Sequence, residues 1–365
     1  MSDKYFFFKG RVALYAILKA MGIKAGDEII LPGFTCVVVP NAIIYLGAKP
    51  VYVDIDPKTY NIDPRLIEGK ITEKTKVIIA QHTFGIPAEM RHIKKIAEKY
   101  GFYVVEDSCH TIGSRYDGQE VGTFGDAAFF SSQWSKPVTT GLGGWSVINN
   151  AKLLEKMERV YAEFIEPSYK EALLLMCQYL AYSKLLKPSL FWFAQNTYRR
   201  FSRLGMAIGS SSRDELECKR PGGYAKKMAV LQRDLLKKKL STIKGDIRHR
   251  KRVVSVYEKQ LQDIGIEPIK LPHNYEPVFL RYPLWVNNKK KCLQEAKRKH
   301  VELGDWFLSP VHPNVGGWER AGYRKGTCPD AERACEHLVN LPTHQRTGSN
   351  EIEKVMRLVE GFLKA

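Results

Sequence analysis

Apolar runs alternate with amphipathic stretches along the first 150 residues. Gly10-Arg11-Val12 opens a helical spacing that continues through Leu18 and Met21 and stops at Gly22. GDEIILP reads as a turn and a strand, Val37 to Leu46 as a helix despite Pro40, and PVYVDID as a second strand. Pro64 to Thr75 and KVIIAQ read as the next helix and strand, HIKKIAEKYG as a helix, and Tyr103-Val104-Val105 as a buried strand ending at Glu106-Asp107. Ala127 to Ser131 is one more short apolar strand. Strand and helix alternating in this way predict an α/β fold with a parallel sheet.

Past residue 213 the pattern changes. Tyr224 to Leu261 predicts a long basic helix pair, whose charge run is read as a mostly solvated face. The last third alternates again, with FLRYPLWV as a strand, KKCLQEAKRKH as a helix and CPDAERACEH as another helix before an LPTH strand. Residues 166 to 213 fit neither pattern. They are apolar and aromatic, flanked by Arg199, Arg200 and Arg203, and interrupted by Lys184, Lys187 and Pro188. That is too broken to span a bilayer. Two readings stay open: an insertion that packs on the body or across a dimer interface, and a peripheral membrane contact through about 172–203.

Composition narrows the partners. The 365 residues carry a formal net charge of +18, which favours polyanions or phosphorylated substrates. No zinc-type cysteine pairing or nucleic-acid motif accompanies that charge, so nucleic acid is not expected. Seven scattered cysteines suit a reduced, cytoplasmic chain, and the apolar run in MSDKYFFFKGR is too short for a signal peptide.

The candidate chemistry sits between Val104 and Ile148. Asp107 ends a strand at the place where open α/β sheets put ligands. Ser131 ends the next strand, Lys136 follows, and Gly141, Gly143 and Gly144 permit close backbone approach. The start of the helix at Gly10, Arg11 and Val12 is a ready anion site. A lysine among Ser, Thr and Gly facing a strand-end aspartate suits a pyridoxal phosphate (PLP) site. Spacing alone favours the plainer reading, a solvated loop lysine and a capping aspartate, because most Asp and Lys residues lie at the surface.

The motifs EDSCH, GDAAFFS, SK and TTGLGG, with VDIDPKTYNID upstream, resemble the active-site core of the DegT/StrS sugar aminotransferases. The resemblance extends over nearly the whole chain. It implies a fold-type-I PLP-dependent transferase: a large domain, residues 1–235, with a mainly parallel sheet flanked by helices, and a small α+β domain, residues 236–365. It implies that Lys136 carries PLP and moves the proton, that Asp107 pairs with the ring nitrogen, and that Ser131 with Gly10, Arg11 and Val12 holds the phosphate. Where relatives place a ring-stacking aromatic this chain has Cys36, so His110 is expected to stack on the ring or bond its hydroxyl. Where relatives reach a neighbouring subunit's phosphate this chain has Pro221-Gly222-Gly223, with Arg220 or Lys226 as substitutes. His82, His312, Trp306 and Arg220 are candidates for the substrate side. The implied activity is amino transfer from glutamate or glutamine to a nucleotide-linked keto sugar, by a homodimer. A sugar dehydratase of the same fold and a silent, membrane-associated regulatory protein are the alternatives. No metal site is expected.

Overall fold

The structure, a computed structural model, describes residues 3–185, 208–313 and 317–363. Seven strands build the main sheet. They are β1 (Asp3–Phe7), β2 (Glu28–Pro32), β4 (Lys49–Val53), β5 (Thr75–Gln81), β6 (Tyr103–Asp107), β9 (Ala127–Ser131) and β10 (Gly144–Ile148). Among them in chain order lie β3 (Thr35–Cys36), β7 (Arg115–Tyr116) and β8 (Gln119–Glu120). The sheet order is β1-β10-β9-β6-β5-β2-β4. Strands β9, β6, β5, β2 and β4 pair in parallel, while β10 runs antiparallel to both β9 and β1. The fold is α/β with a mainly parallel sheet, as the alternation predicts.

The helices follow from their burial patterns. Helix α1 (Gly10–Ala20) is buried on nearly every side. Such a helix belongs inside the body, and it packs on β9 and β10 as well as on α2 (Val38–Ile44). Helix α3 (Met90–Tyr100) buries only Met90, Ile93, Ile96 and Ala97, and ends on Gly101 in the left-handed region at φ 73°. The helix expected over 64–75 does not form. Two single 3-10 turns, Pro64–Leu66 and Glu68–Lys70, stand there, and Thr75 already belongs to β5. Asp63 caps the first turn through the Arg65 N–H, and Gly69 has no side chain to favour continuation.

The C-terminal third places strand Arg281–Trp285 antiparallel to strand Leu338–Pro342, with Arg281 opposite Pro342. The predicted basic pair forms as helices Val230–Ser241 and Ile243–Asp263. Helix Lys289–Arg298 covers the small sheet from one side. The short strand Val311–His312 runs parallel to β3, with His312 opposite Cys36. This pairing draws residues 304–313 against the first half of the chain. One hydrophobic core includes Tyr5, Leu14, Phe34, Tyr257, Phe307, Leu341 and Val359, so it spans both halves.

Of the 166–213 segment, Tyr169–Leu185 is a helix, while 186–207, with Arg199, Arg200 and Arg203, lie outside the described residues. Leu175 is buried with Phe8 and Leu142, and the Tyr182 hydroxyl donates to the Trp134 carbonyl at 3.0 Å. Among the described residues no helix is long and apolar enough to cross a membrane.

Candidate active site

The site forms where β6, the β9–β10 hairpin and the start of α1 meet. Successive residues of a strand face opposite ways, so Glu106 and Asp107 have separate tasks. Glu106 is fully buried and accepts from the Gly122, Phe124 and Gly125 N–H groups, each at 2.7 Å. Its Oε2 also meets His82 Nε2 at 3.0 Å, and His82 Nδ1 accepts the Ala88 N–H. His82 is therefore not a substrate residue: it is wholly buried, with both ring nitrogens engaged in holding the sheet to the following loop.

Asp107 is buried at the end of β6 and accepts the Cys109 N–H at 3.0 Å. Burial raises its carboxyl, and the hydrogen bonds from Cys109 and the charge of Lys136 pull it back part of the way. Burial lowers the Lys136 amine, against the opposing influence of Cys109, Asp107 and Cys36, while Arg281 lowers it further. Lys136 Nζ lies 4.9 Å from the centre of the Trp306 indole. His110 stacks on the same indole, with ring centres 5.3 Å apart and planes 21° from parallel. Burial, with Lys136 and Arg281 nearby, pushes its imidazole well below the usual range. Its Nδ1 accepts the Phe84 N–H at 3.2 Å. A neutral ring accepting at Nδ1 carries its proton on Nε2.

At the start of α1 the backbones touch. A Cβ on Gly10 would sit 2.9 Å from both the Phe130 carbonyl oxygen and Ser131 Cβ, and a Cβ on Gly144 would sit 2.3 Å from Gly10 Cα. Only glycine permits this approach, which sets the helix start beside Ser131. The Val12 N–H is already bonded to the Lys9 carbonyl at 3.1 Å, so Val12 is not a phosphate donor; its side chain is core. The Arg11 guanidinium also turns away, donating to Glu215 at 2.8 Å and Ser211 at 3.0 Å. Glu215 takes Lys9 as well, at 3.0 Å. What Arg11 brings to an anion here is its backbone, not its charge.

Cys36 is half-buried on β3, and its sulphur bears on Lys136 and Cys109. His312, opposite it, accepts the Leu308 N–H at Nδ1 and packs on Phe307. It supports the loop that carries Trp306. Lys289 holds that loop from behind, donating to the Phe307 and Cys335 carbonyls at 2.8 and 2.9 Å; burial brings its amine down to about 8. Arg220 lies over Tyr15 and Tyr224, at the far side of α1, and is no part of this chain's cleft.

A cleft of about 660 Å³ opens beside Lys136. Most of its wall was not singled out in the sequence: Trp134, Tyr182, Lys239, Arg281, Glu302 and Arg346. These residues come from six separate segments with no common motif, so nothing in the sequence grouped them.

The model of the DegT/DnrJ/EryC1/StrS aminotransferase family matches residues 8–360, and the chain belongs to that family. It is 38% identical over 97% of its length, and 84% of the relative's, to a GDP-perosamine synthase of Caulobacter vibrioides. It is 27% identical over 92% of its length, and 79% of the relative's, to a UDP-2-acetamido-2-deoxy-3-oxo-D-glucuronate aminotransferase of Pseudomonas aeruginosa. An aminotransferase from Psychrobacter cryohalolentis shares the fold, with TM-score 0.75 at 20% identity, covering 98% of this chain and 86% of that one. The enzyme class is PLP-dependent aminotransferase. The residues present fit that cofactor: a cradle at Gly10 and Gly144 that a Cβ would fill, a buried carboxylate and a lysine with a lowered pKa.

Proposed function

We propose that this enzyme transfers an amino group from glutamate or glutamine to a nucleotide-linked keto sugar, yielding an amino sugar for surface polysaccharide. The observation that carries this reading is Lys136, held beside Asp107 at the wall of a cleft rich in cations. Relatives that act on GDP- and UDP-sugars support the acceptor class.

In this reading Lys136 Nζ would hold PLP, and Asp107 would pair with its ring nitrogen. His110, whose faces already stack with Trp306 and Phe84 and whose Nδ1 accepts the Phe84 N–H, would donate from Nε2 to an oxygen of the group. Ser131 and the N–H groups at Gly10 and Arg11 receive the phosphate. Bound PLP supplies an electron sink for charge developing on the donor's α-carbon. With the group bound, the free Lys136 Nζ would be the base that takes the donor's α-proton and the acid that returns it. Its lowered pKa keeps more of the amine neutral and basic at working pH. The same residues run in reverse to aminate the sugar. Residues 1–235 form the cofactor-binding part and 236–365 the part that closes the cleft, and two copies assemble as a dimer.

The experiment is an absorption spectrum of the PLP-loaded enzyme beside Lys136→Ala. A near-visible band that shifts on adding glutamate, and is missing in the variant, supports the reading. A well-folded protein with no such band overturns it.

A further inference from the structure

The cations of the cleft are not alike. Arg250 is paired with Asp246 at 2.7 Å, and His344 with Glu302 at 3.0 Å. Arg281 has no carboxylate within ion-pairing distance among the described residues; its guanidinium lies over the Trp306 indole, 5.0 Å from the ring centre. The guanidinium has room there because residue 304 is glycine. A Cβ at Gly304 would sit 2.4 Å from Arg281 Nη1. Lys136 Nζ lies over the same indole, at 4.9 Å. The two cations therefore share one landmark, and Arg281 is the cation whose charge weighs on the Lys136 amine.

Which substrate brings an anion to this place follows from covalent structure. An α-amino acid carries its carboxylate on the carbon that bears the amine. A donor whose nitrogen takes the place of Lys136 Nζ must put that carboxylate next to it. A keto sugar brings a neutral carbonyl to the same point, with its phosphates beyond the sugar ring. We infer that Arg281 anchors the α-carboxylate of the amino donor, an inference that rests on the aminotransferase reading above. The planar guanidinium can grip a carboxylate through two parallel N–H donors. The Trp306 face fixes its plane. Lys239 and Arg346 remain for the diphosphate.

The test is the donor half-reaction, followed by absorbance in the PLP-loaded enzyme, for wild type, Arg281→Lys and Arg281→Met. L-Glutamate and α-methylbenzylamine, which has no carboxylate, are compared. GDP and UDP binding is measured by calorimetry. Arg281→Met should raise half-saturation for glutamate by about tenfold or more, while the loss of its charge near Lys136 changes the limiting rate alike for both amines. Arg281→Lys should fall between. Half-saturation for α-methylbenzylamine and binding of both nucleotides should match wild type. Unchanged glutamate saturation overturns the proposal. So does an equal rise in half-saturation for both amines, which would mean a structural role, or a loss confined to the nucleotides, which would assign Arg281 to the diphosphate. A wild type that responds to no amine sinks the aminotransferase reading itself, a result distinct from all of these.

Discussion

Single side chains in this cleft act through their neighbours' charges. Burial by itself pushes the Glu302 carboxyl up, but the hydrogen bond and charge of His344, with Arg281 and Arg346, outweigh it and hold the group at about 2. A carboxyl held lower in the folded chain than its ordinary 4.5 stabilises the fold above that value. This stabilisation is lost as pH falls from 4.5 toward 2. Glu302→Gln should remove it, on the order of 1–2 kcal/mol with solvent screening at this half-buried site. Denaturant melts at about pH 7 and about pH 3 should show the variant's deficit shrinking in acid. A deficit of equal size at both would place the effect in packing. Asp107→Asn should leave folding intact and lower the rate of the donor half-reaction by about a hundredfold or more, since amide cannot hold a proton on a ring nitrogen.

In the proposed reading, the start of α1 is the element on which cofactor affinity depends. Its closeness to the β9–β10 hairpin is set by two glycines whose backbones touch. Gly144→Ala drives a methyl into the Gly10 backbone, which has no flexible end to yield. PLP affinity should fall by about tenfold or more, read by fluorescence titration, while Gly69→Ala, at a turn with open space, should leave it unchanged. The same helix start depends on Glu215, which neutralises Lys9 and Arg11 together. Removing one partner of a buried pair leaves charge without compensation, so Glu215→Gln should cost about 3 kcal/mol or more in unfolding free energy.

At the scale of the whole molecule, charge and core continuity decide behaviour. A chain with a formal net charge of +18 should draw anionic nucleotides toward its cleft, and salt should weaken that attraction. GDP or UDP affinity should therefore fall steadily as sodium chloride is raised; an affinity indifferent to salt would show that the cleft cations do not meet the phosphates. Since one hydrophobic core runs from Tyr5 to Val359, calorimetry should record a single cooperative unfolding transition.

Local pattern alone determined the alternation of strands and helices, the strand end at Asp107, the serine and lysine that follow, and the glycine turn. Those features depend on neighbours in the chain, so periodicity and motif carry them. The segment 64–75 escaped this logic because its apolar spacing suggested a helix, while Gly69 and the early start of β5 left it only two short turns. Tertiary structure alone decided which charges stay available. Arg11 looked like a phosphate ligand, yet Glu215, more than two hundred residues away, claims its guanidinium. His82 looked like a cleft residue until Glu106 and the Ala88 N–H engaged it. Arg281 carried no motif, and its place beside Lys136 arises only because the pairing of Val311–His312 with Thr35–Cys36 draws Trp306 into the site. Ion pairs and strand contacts across such separations leave no local periodic signal, so the sequence singled out Lys136 while the fold chose its neighbours.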